Sequence, residues 1–157
     1  MCGVIAYFPH DASDGFDFDY ARLIFTRVMQ ESKVRGLHSF GLAHVETYPV
    51  PTEYSPHQRT GSVSVIRAHS LELVTDAFQP AWPTIAHCRY STSGDWHVLD
   101  NCQPIVVGDL ALAFNGVIHM GTKEEYEAAF GVRCVSDNDG EVFLRRLIAG
   151  QVCRRSR

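Results

Sequence analysis

Cys2 and Gly3 follow Met1 directly. Cysteine is small enough for an aminopeptidase to remove the methionine ahead of it, and the chain then opens on a cysteine with a free α-amino group. That one residue offers a nucleophile and a base. A free thiol titrates near about 8.5 and an α-amino group near about 7.7–8.0, so the neutral amine can take the thiol proton, directly or through one water. This is N-terminal-nucleophile chemistry, in which the base is the nucleophile's own backbone amine. The plain alternative is a small residue in a buried strand, a place cysteine often takes. The remaining cysteines, Cys88, Cys102, Cys134 and Cys153, form no C-x-x-C pair, and His87, His97 and His119 lie at no metal-ligand spacing. Neither a metal site nor a cofactor is expected from them.

The elements that must position Cys2 follow from hydrophobic period and punctuation. MCGVIAYF reads as a buried strand, and HDASDGFDF as a loop. Residues 19–34 place Ala21, Ile24, Phe25, Val28 and Met29 on one helical face, with Asp17 or Asp19 as cap and Gly36 as stop. SFGLAHVETY, SVSVIRAHS and PTIAHCRYS read as strands, LELVTDAF as a short helix, Pro49 to Arg59 as a loop and STSGDW as a polar turn. Residues 105–114 suggest two strands joined at Gly108-Asp109, and Asn115-Gly116 a further tight turn. TKEEYEAAF is a helix with Thr122 and Glu125 in capping-box positions. DGEVFLRRLIAG is a second helix, from Asp139 to a stop at Gly150. This order does not alternate strand and helix, so antiparallel sheet covered by helices, an α+β fold, is expected over a parallel doubly wound one.

A length of 157 residues fits a single domain, residues 1–157. With 45% hydrophobic and 20% charged residues the balance is globular rather than disordered. A net charge of −4 argues against a dedicated nucleic-acid binder, which carries a basic balance or stripe. No apolar run approaches the roughly 18–20 residues of a membrane span, and the N-terminus lacks the basic region of a secretory signal. A reduced, cytoplasmic chain with free thiols is the expectation.

Five further segments reweight Cys2. VRGLHSFGLA (34–43), AHCRYSTSG (86–94) with NCQPI (101–105), LAFNGVI (112–118) and SDNDGEVFL (136–144) follow MCGVIAY in series. Together they resemble the glutaminase domain of class II glutamine amidotransferases, such as glucosamine-6-phosphate synthase and glutamine phosphoribosylpyrophosphate amidotransferase. The resemblance runs from residue 2 to about 147. It implies an αββα sandwich of antiparallel sheets and hydrolysis of the L-glutamine side-chain amide. Cys2 would be the nucleophile, and Asn115 with Gly116 the oxyanion hole. Arg89 would grip the substrate α-carboxylate, Thr92 would contact the same ligand, and Asp139 would pair with the α-ammonium. Asp139 is chosen over Asp137 because Asp139-Gly140-Glu141-Val142 matches without a gap. Arg35, Gly36 and Gly41 read as structural, and Asn101 with Gln103-Pro104 as a brace. His38 stands where relatives often carry Gln or a polar residue followed by Asp, so this loop departs from the usual pattern.

The family domain continues well past the aspartate motif, whereas this chain ends soon after the matched helix. A compact version, strands supplied by a partner or second copy, and an inactive relic are all compatible with that length. No nucleotide-binding G-x-x-x-x-G-K-[ST] loop is present. The expected partner is therefore a separate synthase or acceptor subunit that uses the ammonia, and a homo-oligomer is compatible. The alternative from a different class is a silent domain that binds glutamine or a partner without catalysis.

Overall fold

Asp17 starts the first helix: its carboxylate accepts from the Tyr20 N–H at 2.9 Å and satisfies one of the orphan donors of the first turn. In the computed structural model, which describes residues 1–9, 16–49, 59–118 and 122–155, this helix, α1, spans Phe18–Ser32 and tightens into a 3-10 turn over Lys33–Arg35. It follows β1, Gly3–Tyr7. Next come β2 (Ser39–Pro49), β3 (Arg59–Ala68), the short helix α2 (Leu71–Asp76) and β4 (Thr84–Arg89). A hairpin of β5 (Ile105–Val107) and β6 (Leu110–Leu112) precedes α3 (Lys123–Phe130) and α4 (Asp139–Arg155). The fold is α+β with antiparallel sheets.

The main sheet is four-stranded in the order β1-β4-β2-β3, with every pairing antiparallel. Its register turns alternate residues to opposite faces. Ile5, Tyr7, Phe40, Leu42, Ile66, Ala68, Ala86 and Cys88 face α1 and α2 and pack with Phe25, Met29, Leu71, Val74 and Phe78. Phe78 stacks on Phe25 at 3.8 Å between ring centroids and meets Tyr7 edge-on at 5.0 Å. Fully buried side chains such as Phe25, Leu42 and Phe78 contribute about 1.5–3 kcal/mol each. The opposite face carries the row Val4, His87, Gly41, Arg67 across the strands. A Cβ on Gly41 would lie 2.2 Å from the Gln103 carbonyl oxygen, so only glycine lets the 103–104 segment rest on this face. Arg67 Nε then donates to the Pro104 carbonyl at 2.9 Å. The β5–β6 hairpin continues from that segment, and α4 packs on both of its strands.

Three local expectations are corrected. Ile24 and Val28 are 44% and 41% exposed, because α1 lies over β1 at the sheet edge and only its Phe25–Met29 line has sheet beneath it. Helix α4 runs through Gly150 to Arg155. Glycine ends a helix by turning left-handed, and Gly150 does not have a positive φ. Asn115-Gly116 joins no pair of strands and Gly116 lacks the positive φ of a hairpin turn, so the dipeptide sits in irregular chain after β6. By contrast, Gly108 has φ +59° at the tip of the β5–β6 hairpin, and Thr122 with Glu125 makes a reciprocal capping box. Of the loop expected from Pro49 to Arg59, the two end residues belong to β2 and β3, while residues 50–58, residues 10–15, His119 and the Cys153 side chain lie outside what is described. Among the described residues no helix is long and apolar enough to cross a membrane.

Candidate active site

The end of β4 and the first residues of the chain meet at Cys2. Its thiol donates to the Tyr90 carbonyl at 3.4 Å and accepts from the Tyr90 N–H at 3.3 Å. The main-chain nitrogen of Cys2 donates to Oδ1 of Asn115 at 3.2 Å. Because the partner is a donor, the Asn115 amide has one orientation, and its Nδ2 is left as a donor. Among the described residues Nδ2 has no protein partner. Gly116 follows, where a Cβ would fall 2.5 Å from Cζ of Phe114.

Phe114, the residue before Asn115, is held on both main-chain groups by buried side chains. Its N–H donates to Oε1 of Gln103 at 2.6 Å, and its carbonyl lies 3.2 Å from Nε2 of His87. His87 is fully buried, and burial lowers its pKa to about 4, with the nearby Arg89 charge acting the same way and the bond to Phe114 opposing. The ring is neutral at physiological pH. A carbonyl only accepts, so the proton sits on Nε2, and Nδ1 has no partner. On the other face of β4, burial and then the proximity of Cys2 push the Cys88 thiol up to about 11, which keeps that thiol unreactive.

Arg89 is 2% exposed. Its guanidinium donates to the Ser93 carbonyl and approaches the Cys102 sulfur at 3.9 Å, and no carboxylate pairs with it among the described residues. A buried cation without an anion is costly, so this is a place that favours a carboxylate. Gly36 lets the main chain after α1 pass close to Arg89, where a Cβ would lie 2.3 Å from the Arg89 carbonyl carbon.

Ser93, rather than Thr92, ties this loop together. Its carbonyl takes Arg89, and its hydroxyl donates to Oδ1 of Asp139 at 2.9 Å. Asp139 Oδ2 accepts from the Ile118 N–H at 2.8 Å. Thr92 is exposed on the rim of the same region. Asn101 joins the two halves: Nδ2 donates to the Asp95 carbonyl, Oδ1 accepts from the Asp137 N–H at 2.8 Å, and its carbonyl accepts from Asn138 Nδ2 at 2.8 Å. Asp139 is freed from capping duty, because Asn138 Oδ1 accepts the Gly140 N–H instead. Two positions further on, Glu141 is 3% exposed. Burial opposes its ionisation, but bonds from the Ser136 hydroxyl, the Val135 and Ser136 N–H groups and Arg145 outweigh that and lower its pKa. Glu141 thereby fixes the start of α4 and with it Asp139.

A cleft of about 280 Å³ lies here, lined by Thr92, Ser93, Ile118, Asp137 and Asp139 among others. That is at the small end of ligand pockets, which run roughly 300–1,000 Å³. Cys2, Asn115 and Arg89 do not line it. The three steps from Asn115, beside Cys2, to Ile118, on Asp139, span at most about 11 Å. The structure thus brings Cys2 to Asn115 and Asp139 to Thr92 on one short stretch of chain, and keeps Arg89 beneath Ser93. From the sequence, Ser93 carries no assigned role, Gln103 is named only with Asn101 as a brace, His87 only as a histidine without metal spacing, and Glu141 only as part of the aspartate motif. Comparison of the chain with family models, with curated proteins and with solved structures returns no match.

Proposed function

We propose that the chain is a glutaminase domain of the class II glutamine amidotransferase type, releasing ammonia from L-glutamine for a separate synthase or acceptor subunit. The observation that carries this is the hydrogen bond from the Cys2 nitrogen to Asn115 Oδ1. It joins the two ends of the required chemistry: a base on the nucleophile's own residue, and an amide donor for the oxyanion. Met1 is 80% exposed, which supports access for its removal. The α-amine of Cys2 then takes the thiol proton, and the thiolate attacks the side-chain carbonyl carbon of glutamine. Asn115 Nδ2 and the Gly116 N–H receive the developing oxyanion, a role in which a lost donor typically raises the barrier by about 2.7–4 kcal/mol. The amine returns the proton to the leaving nitrogen and ammonia departs. Water then hydrolyses the thioester to glutamate. Asp139 pairs with the α-ammonium in the cleft, with Thr92 beside it, and Arg89 takes the α-carboxylate once the Ser91–Gly94 turn yields to it.

The layering supports an αββα sandwich: α1 and α2 pack on one face of the main sheet, the Gln103–Pro104 segment leading into the β5–β6 hairpin rests on the other, and α4 packs on that hairpin. The second sheet has two strands among the described residues. Burial of Arg89 away from the cleft favours a second reading, a silent glutamine-binding relic of the same domain. Assay of glutamate release separates the two. The enzyme reading expects turnover by the wild-type chain and its loss in Cys2→Ala at unchanged secondary structure. Equal rates for both proteins would refute it.

A further inference from the structure

We propose that His87 is a positioning residue for this reaction, holding the oxyanion dipeptide in register with Cys2 through the carbonyl of Phe114; the inference rests on the glutaminase reading. A buried histidine with one ring nitrogen unpartnered is an expensive way to fill space between two layers. An apolar ring would fill it without an orphaned acceptor. What only the imidazole supplies is the Nε2 donor, and that donor is spent on the residue immediately before Asn115. Gln103 takes the other main-chain group of Phe114, so the peptide units on both sides of this residue are fixed.

The position of His87 on the sheet explains why this matters. His87 pairs with Val4 of β1 on one side and with Gly41 of β2 on the other. Val4 is two residues after Cys2, and Gly41 is the bare surface on which Gln103 rests. One row of the sheet therefore sets the place of the nucleophile through β1, and the place of the oxyanion donors through His87, Gln103 and Phe114. The circuit closes where Asn115 Oδ1 meets the Cys2 nitrogen. A misplacement of about 1 Å in such a constellation can lower the rate about a hundredfold. Burial, which keeps the ring neutral, preserves this single-donor tautomer throughout the neutral range.

The test compares wild type with His87→Phe, which keeps a ring but removes the donor, and His87→Gln, whose amide can donate to the same carbonyl. For His87→Phe, kcat should fall about a hundredfold, with KM for glutamine within about twofold, and His87→Gln should recover at least about tenfold of the loss. Glutamate γ-semialdehyde, which forms a tetrahedral adduct with a thiolate, should lose inhibitory potency in parallel with kcat. Inhibition by glutamate, which forms no such adduct, should hold. If His87→Phe does not fold, Gln103→Leu carries the same comparison from the N–H side of Phe114. An active wild type whose variants keep wild-type kcat, or lose kcat, KM and glutamate binding together without rescue by His87→Gln, overturns this inference alone. A wild-type chain that neither turns over glutamine nor is modified at Cys2 overturns the glutaminase reading, and the inference with it.

Discussion

The Cys2 nitrogen and Asn115 Oδ1 lie 3.2 Å apart across 113 positions of sequence. The contact does two things at once. It directs the group that would serve as base, and it fixes the orientation of the amide so that Nδ2 is the exposed donor. A side chain in a solvated turn would have neither constraint.

Asn115→Ala should therefore lose both an oxyanion donor and the anchor of the amine. We expect kcat to fall about 10²–10³-fold, as for other lost oxyanion donors. The side chain is exposed, so the thermal unfolding midpoint should stay within a degree or two of wild type. Steady-state kinetics with glutamine, alongside circular dichroism, checks both halves.

Arg89 invites a different test. It is a buried cation with a carbonyl and a sulfur for neighbours and no carboxylate among the described residues. Replacing buried charges by apolar groups of similar volume is often neutral or stabilising. Arg89→Met should leave the unfolding free energy unchanged or raise it by about 1 kcal/mol. The same variant should raise KM for glutamine at least about tenfold, the loss of one good charged hydrogen-bonding pair. Denaturant titration and a KM measurement on one preparation decide it. A large loss of stability would mean that the guanidinium is structural.

The pH dependence of stability follows from His87. Its pKa in the fold is lowered to about 4 from an ordinary 6.5. Between those values the unfolded chain binds a proton that the folded chain does not, so stability falls as pH drops from about 6.5 toward 4. The full effect is on the order of 3 kcal/mol. His87→Phe removes this titration, so its unfolding free energy should vary less over the same interval. Glu141 adds a component at lower pH with the same sign: its pKa is lowered, and its stabilisation is lost as acid protonates it. Urea denaturation at stepped pH measures both.

Much of the frame was legible in the sequence because it depends on local rules. Asp17 caps α1, Thr122 and Glu125 close a capping box, and Gly108 turns the β5–β6 hairpin, each through contacts within a few residues. The Cys2–Asn115 pairing was legible only through the resemblance, since nothing local to either residue indicates the other. Within Ser91-Thr92-Ser93-Gly94 the residue types are interchangeable, and only the path of the turn decides that Ser93 faces Arg89 and Asp139. His87 sits in a strand covered on both faces, so alternation could not assign it a direction. The exposure of Ile24 and Val28 depends on the place of β1 at the sheet edge, which strand order fixes and periodicity does not.

The most direct test is mass spectrometry of the purified chain before and after reaction with 6-diazo-5-oxo-norleucine, an electrophile shaped like glutamine. The expected result is an intact mass lacking Met1, then a single adduct that peptide mapping assigns to Cys2. Retention of Met1, or a processed chain whose Cys2 stays unmodified, would contradict it.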